Sequence, residues 1–225
     1  MRYALRLANI DVHFDHAGSG NSFAQIDKTF SGVNQNVLGR KNVFMHRNPL
    51  DTTVSMYFQT HLRTLHPNVE GYAEKLNEFK SFNKLPPENI EDFVLDPIWG
   101  IQRVCRFNKG WLDYISTHKK RRFHVISYET ARLYPDQEIG KLLEFFGANT
   151  RNIDEIVKKT QFDQMKKLES KLSEPDGKLR LGVQVPGEPE SMKVRKGKVG
   201  GYKDYLKPDI IKACDQIAAS FGFQI

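Results

Sequence analysis

The sequence predicts an α/β protein built on a parallel sheet flanked by helices. Three observations lead there. Two short apolar runs, Asn42–His46 and Phe123–Ser127, have the length and the aromatic or β-branched content of strands. Between and after them, apolar residues recur every three or four positions, above all over residues 98–117, 135–146 and 208–221. Strands alternating with helices make parallel pairs, because a parallel connection needs a crossover. In such sheets ligands sit outside the carboxyl ends of the strands.

Composition narrows the class. The chain has 225 residues, enough for one large domain and its own core. Aromatic residues make up 11%, too many for a disordered chain. Lys and Arg number 34 against 27 Asp and Glu, a net charge of +7 that points to an anionic partner: nucleic acid, a membrane surface or a phosphorylated small molecule. No apolar run reaches the length of a membrane span. Only Cys105 and Cys214 are present, which excludes a disulfide framework and a multi-cysteine zinc site and fits a reducing, cytoplasmic setting.

Taken in order, Met1–Ala8 reads as part of a buried helix, with Tyr3, Ala4, Leu5 and Leu7 inward and no N-cap before it. Residues 10–14 alternate like a short strand and end in the loop Asp15-His16-Ala17-Gly18-Ser19-Gly20. Asn42–His46 suits a strand buried on both faces. Pro49 follows at an ideal first helical position, with Asn48 as N-cap and Asp51 placed for a capping box. That helix runs to about Leu62, with Val54, Phe58 and Leu62 on one face. Residues 64–97 are irregular apart from a helix near 73–82. A helix over 98–117 carries Ile101, Val104, Cys105, Leu112 and Ile115, and the basic run 119–122 leads into the second strand. Residues 135–146 form a helix with Ile139, Leu142, Leu143 and Phe146 inward and Gly147 as terminator. Residues 152–160 are helical, acids first and lysines last, as the helix dipole favours. Residues 173–201 form a long loop rich in Gly and Pro, a length that marks function or disorder. Residues 208–221 close the chain as an amphipathic helix.

Three constellations could carry chemistry. Arg47-Asn48-Pro49-Leu50-Asp51 with Ser55 stands at a strand's end and a helix's start, where free N–H groups and a guanidinium can face one anion. The same residues also describe an ordinary capped helix with Arg47 on a solvated rim. Lys193-Val194-Arg195-Lys196-Gly197-Lys198-Val199-Gly200-Gly201 sets four cations among glycines that allow close backbone approach. By itself it also describes a solvated loop. His13 and His16 stand on or just past the first strand, where a general base belongs. No third ligand has metal spacing, so no metal is expected. A P-loop, a dinucleotide fingerprint, the partners of a kinase catalytic loop and nucleic-acid-binding signatures are all absent from the sequence.

Together these blocks resemble a known family. Val43-Phe44-Met45-His46-Arg47-Asn48-Pro49-Leu50-Asp51-Thr52-Thr53-Val54-Ser55 is similar to the 3′-phosphate-binding strand–loop–helix of sulfotransferases that use 3′-phosphoadenosine 5′-phosphosulfate (PAPS). Arg195-Lys196-Gly197-Lys198-Val199-Gly200-Gly201-Tyr202 resembles their C-terminal phosphate loop, with Gly-Tyr where animal members have Asp-Trp. Val125-Ile126-Ser127-Tyr128-Glu129, the helix ending at Gly147 and Thr160-Gln161-Phe162-Asp163-Gln164-Met165 resemble the blocks between them, in the family's order over roughly residues 40–207. The likeness is nearer to bacterial members than to animal ones.

The resemblance implies a P-loop-NTPase-like sulfotransferase fold and PAPS as co-substrate, without metal. It implies that Arg47, Ser55, Arg195, Lys196 and Gly197 bind the 3′-phosphate. Tyr128 would contact the nucleotide, and Thr160, Phe162 and Met165 would flank the adenine. His16, or else His13, would take the acceptor's proton. The sulfuryl group would go to a hydroxyl or amine of a small molecule, a glycan or a glycolipid, its pocket shaped by the irregular stretches. The rival reading is a non-catalytic anion- or nucleic-acid-binding protein using the same basic loops; the ordered match of blocks favours the enzyme, with no nucleic-acid partner. The family also opens with a strand and a loop that cradles the 5′-phosphosulfate. Met1-Arg2-Tyr3-Ala4-Leu5 resembles the helix just after that loop. The expectation is therefore one domain, residues 1–225, lacking that strand and loop and giving weak nucleotide binding and little transfer.

Overall fold

The computed structural model of the chain describes residues 1–10, 40–81, 85–117, 122–171, 185 and 187–225. Residues 11–14 of the first expected strand, the loop after it, and with them His13 and His16, lie outside the described residues. The elements are α1 (Arg2–Leu7), β1 (Asn42–His46), α2 (Pro49–Arg63), α3 (Tyr72–Ser81), α4 (Ile90–Leu95), α5 (Ile101–Thr117), β2 (Phe123–Ser127), α6 (Tyr128–Leu133), α7 (Pro135–Phe146), α8 (Ile153–Thr160), α9 (Phe162–Ser170) and α10 (Pro208–Ser220). Two short 3₁₀ turns, Pro189–Ser191 and Gly201–Asp204, punctuate the segment before α10.

Among the described residues β1 and β2 form a parallel pair, in register from Asn42 opposite Phe123 to His46 opposite Ser127. Successive strand side chains face opposite sides, and each side has its own core. Ile126, with Val43 against it, packs with Ala4 and Leu5 of α1, Ile139, Leu142 and Leu143 of α7, and Ile156 of α8. Phe44 and Phe123 pack on Trp111 and Ile115 of α5. The strand is not buried evenly, however: Met45 is 40% exposed, because it lies at the wall of a cavity. A third cluster joins Leu50 and Val54 of α2 to Val94, Ile101, Cys105, Tyr202, Cys214 and Ala218. Each large apolar side chain buried this way contributes about 1.5–3 kcal/mol. Burial pushes the Cys105 thiol up to about 12 and the Cys214 thiol up to about 11, so both behave as small apolar residues.

The structure adds three helices to those read from periodicity and trims one. α4 and α6 have six residues each, too few to show a repeat of 3.6. Both are started by local caps: Asn89 Oδ1 accepts from the N–H groups of Glu91 and Asp92, and Ser127 Oγ accepts from Thr130 N. α5 begins at Ile101 rather than 98, because Asp96 takes the preceding residues into a turn. Its carboxylate accepts from the N–H groups of Ile98 and Trp99, and its carbonyl accepts from Gly100 N. A side chain at Gly100 would run into the carbonyls of Val94 and Asp96.

Candidate functional site

The parallel register does the first part of the work. It sets His46 beside Ser127, so the next residue of each strand, Arg47 and Tyr128, leaves the sheet at the same edge. The Arg47 guanidinium lies 4.4 Å from the Tyr128 ring centroid, a cation–π contact. Its Nη2 is 3.3 Å from Asp51 Oδ2 and donates to the Lys198 carbonyl at 3.0 Å. Its Nε is buried and has no hydrogen-bond partner among the described residues. A buried guanidinium nitrogen left unpaired is costly unless an acceptor meets it, and this one belongs to a residue that lines the cavity.

The start of α2 is capped as expected on one side only. Asn48 Oδ1 accepts from Leu50 N and Asp51 N, both at 3.0 Å. Asp51 does not return the bond, as a capping box would require. The Asn48 N–H donates instead to Glu129 Oε1 at 2.8 Å. Asp51, 3% exposed, points to the C-terminal loop and accepts from Gly200 N at 2.8 Å and Tyr202 N at 3.1 Å. This acid thus holds Arg47 and the basic loop together.

Glu129 ties the two strand ends. It accepts from Asn48 N and, at 2.7 Å, from the Ser127 hydroxyl. Burial pushes its carboxyl up, but these hydrogen bonds and Arg47 outweigh burial and hold it below the usual 4.5. A depressed carboxylate contributes stability that is present above the unfolded value and is lost as pH falls through the folded value. Acid titration of stability from pH 6 to 3 should therefore be steeper for the wild type than for Glu129→Gln, which starts less stable. Parallel curves would refute the coupling. His46, beside it, is held below its usual range mainly by burial, with Glu129 opposing.

All nine nucleotide-site residues of the sequence reading, Arg47, Ser55, Tyr128, Thr160, Phe162, Met165, Arg195, Lys196 and Gly197, line one cavity of about 530 Å³. They come from four separate stretches of chain. Ser55 stands one helical turn after Asp51, on the same side of α2. Gly197, at φ +58°, lies against the Phe162 ring so closely that a β-carbon would overlap it. The cavity therefore has an aromatic ring at one wall and the cations Arg47, Arg195, Lys196 and Lys198 beside it. The Thr160 hydroxyl is turned back to its own helix, donating to the carbonyls of Ile156 and Val157.

The loop cations are set by neighbouring acids. Arg195 lies 4.2 Å over the Phe58 ring, and its Nη1 bonds Glu190 Oε2 at 2.6 Å and Tyr205 Oη at 3.2 Å. Lys196 and Lys198 both reach Asp204, at 3.3 and 2.8 Å. From sequence alone Asp51 has a role only in helix capping, and Glu129, Glu190 and Asp204 have none. The local signals are Asp51's place at the start of α2, four residues after Arg47, and Glu129's place next to Tyr128 in a family-like block. Among the described residues no three His, Cys, Asp or Glu side chains gather as a metal site would need.

The site is a basic cavity at the carboxyl edge of a parallel strand pair, lined by Phe162 and by Arg47, Arg132 and Arg195, at the place where α/β proteins take their ligands. The comparisons with known proteins give the family. The model of the sulfotransferase domain matches residues 35–220, and the chain belongs to that family. It is 26% identical over 186 residues to cytosolic sulfotransferase 17 of Arabidopsis thaliana, covering 79% of this chain and 48% of that protein. To sulfotransferase 1E1 of Bos taurus it is 26% identical over 168 residues, 74% of this chain and 49% of the relative. The chain thus spans about half the length of the curated relatives it matches. Among solved structures, mouse sulfotransferase SULT7A1 complexed with PAP superposes with a TM-score of 0.50 at 19% identity, covering 78% of this chain and 56% of that one. Retinol dehydratase in complex with androsterone and inactive cofactor PAP gives 0.53 at 15% identity, covering 84% and 49%. These likenesses show the sulfotransferase fold. No helix among the described residues is long and apolar enough to cross a membrane.

Proposed function

We propose that this chain carries the nucleotide-binding part of a PAPS-dependent sulfotransferase, in a single domain over residues 1–225. The enzyme moves a sulfuryl group from PAPS to a hydroxyl or amine of a small-molecule or glycan acceptor. The observation that carries the reading is the meeting of Arg47, Tyr128, Phe162 and Gly197 around one cavity at the sheet's carboxyl edge. Family membership and the PAP found in the two solved relatives support the choice of nucleotide.

PAPS supplies the activated sulfuryl group; the chain's residues bind and orient it. Arg47 offers its unpartnered Nε to the 3′-phosphate, already stacked and braced by Tyr128 and Asp51, so little side-chain freedom is lost on binding. Arg195, Lys196 and the Ser55 hydroxyl add donors, and Gly197 lets the backbone come close. Phe162 and Met165 form an apolar plate for the adenine, with Thr160 and Tyr128 beside it. The acceptor's proton goes to His16, with His13 as the alternative; the family resemblance supports this assignment.

Calorimetric titration with PAP (the nucleotide left after transfer) tests the reading. The chain should bind it saturably. Arg47→Ala should weaken binding about 10- to 150-fold, the range for a charge-assisted hydrogen-bonded contact of about 1.5–3 kcal/mol. Absence of saturable binding would refute it. So would binding to any DNA or RNA that falls steeply with salt while PAP does not compete.

A further inference from the structure

We propose that Glu169 is a positioning residue for the 3′-phosphate site, fixing the start of the basic loop as Asp51 fixes its end. The proposal rests on the nucleotide reading above. Glu169 lies in the last turn of α9, is fully buried and is not itself among the residues lining the cavity. Its Oε1 accepts from Lys193 N at 2.8 Å and its Oε2 from Val194 N at 2.7 Å. Arg63, the last residue of α2, stands 3.8 Å from Oε1 and donates to the Ser191 carbonyl at 2.5 Å. At the other end of the loop, Asp51 in the first turn of α2 accepts from Gly200 N and Tyr202 N, backed by Arg47.

The loop is therefore laid along α2 in a fixed order. Tyr202 meets Asp51, Arg195 meets Phe58, and Ser191 meets Arg63. Two buried carboxylates, each taking two backbone N–H groups and each paired with an arginine, fasten the ends. The stretch between them carries Arg195, Lys196 and Gly197. Arg195 is the first residue after the Glu169 clamp, so the clamp sets where its guanidinium starts. Glu169 also shares α9 with Phe162 and Met165, so one rigid helix couples the adenine plate to the phosphate loop. A buried carboxylate without such partners would destabilise the fold; two N–H groups and a guanidinium are the arrangement that makes it tolerable. Nothing about catalysis or core packing requires an acid at this position. A defined position for the loop does.

The test compares PAP with adenosine 5′-monophosphate, which lacks the 3′-phosphate, on wild type and Glu169→Gln. Glutamine leaves one loop N–H facing an amide N–H₂ and removes the charge beside Arg63. We expect PAP affinity to fall about tenfold or more while affinity for the monophosphate changes less than about threefold. Amide exchange of ligand-free Glu169→Gln should speed up across residues 193–199 and stay unchanged in α7. Equal losses for both nucleotides, or no loss for either, would overturn the proposal. If Glu169→Gln does not fold, Glu169→Asp keeps the charge but is one methylene short. It should still lose PAP selectively, and an unselective loss again overturns the idea. If the wild type binds no PAP, the nucleotide reading fails, and the exchange data alone decide whether Glu169 pins the loop.

Discussion

Replacing Asp51 by Ala should cost about 3 kcal/mol of folding stability and nearly all nucleotide affinity. The carboxylate is 3% exposed and accepts from Gly200 N and Tyr202 N. Its removal strands two loop N–H groups, at about 1–3 kcal/mol for a fully buried one, and takes from Arg47 the carboxylate 3.3 Å away. For a chain of this size the melting temperature should drop about 6–12 °C. Asp51→Asn should fall between, because the amide oxygen can keep one of the two bonds. The affinity loss should exceed that of Arg47→Ala, since the aspartate holds both Arg47 and the far end of the loop. Calorimetry with PAP and thermal melting read the two effects. An Asp51→Ala protein as stable as wild type would show that the link between α2 and the loop carries no energy.

The residues legible in the sequence are those whose partners are near or whose pattern is periodic. The two strands and α7 stand at the boundaries that apolar runs and caps define, and α10 ends within a residue of them. The nine cavity residues were legible as ordered motif blocks, and the fold gathers them. What escaped is the acidic framework behind them. Asn48 and Glu129 are 81 positions apart, and Asp51 bonds N–H groups 149 and 151 positions away. No local rule pairs residues at such distances, so Asp51 reads as a helix-capping acid and Glu129 as one member of a motif block. α9 shows the same blindness in another form. Its most buried residue is Glu169, so its apolar pattern understates which side faces the protein. In this chain the cations could be read from sequence, but the carboxylates that aim them required the tertiary structure.

Gly197→Ala is the second large effect, and a neighbouring glycine supplies its control. Gly197 and Gly200 both have positive φ, +58° and +70°. Either alanine must adopt the left-handed region, at about 1–2 kcal/mol. Their surroundings differ. A β-carbon on Gly200 meets nothing within 4 Å, whereas one on Gly197 overlaps the Phe162 ring. Overpacking of that kind adds about 1–3 kcal/mol. Because Phe162 is the proposed adenine plate, relief by moving the ring or lifting the loop also spoils the cavity. Gly197→Ala should therefore lose PAP affinity by two orders of magnitude or more, and Gly200→Ala by no more than about tenfold. The double variant Gly197→Ala with Phe162→Leu separates the two costs. Leucine yields to the new methyl, so stability should partly recover, while affinity stays low because the flat plate is gone. Recovery of both would mean that Phe162 only crowds the loop and that the adenine lies elsewhere; recovery of neither would place the whole cost of Gly197→Ala in the backbone.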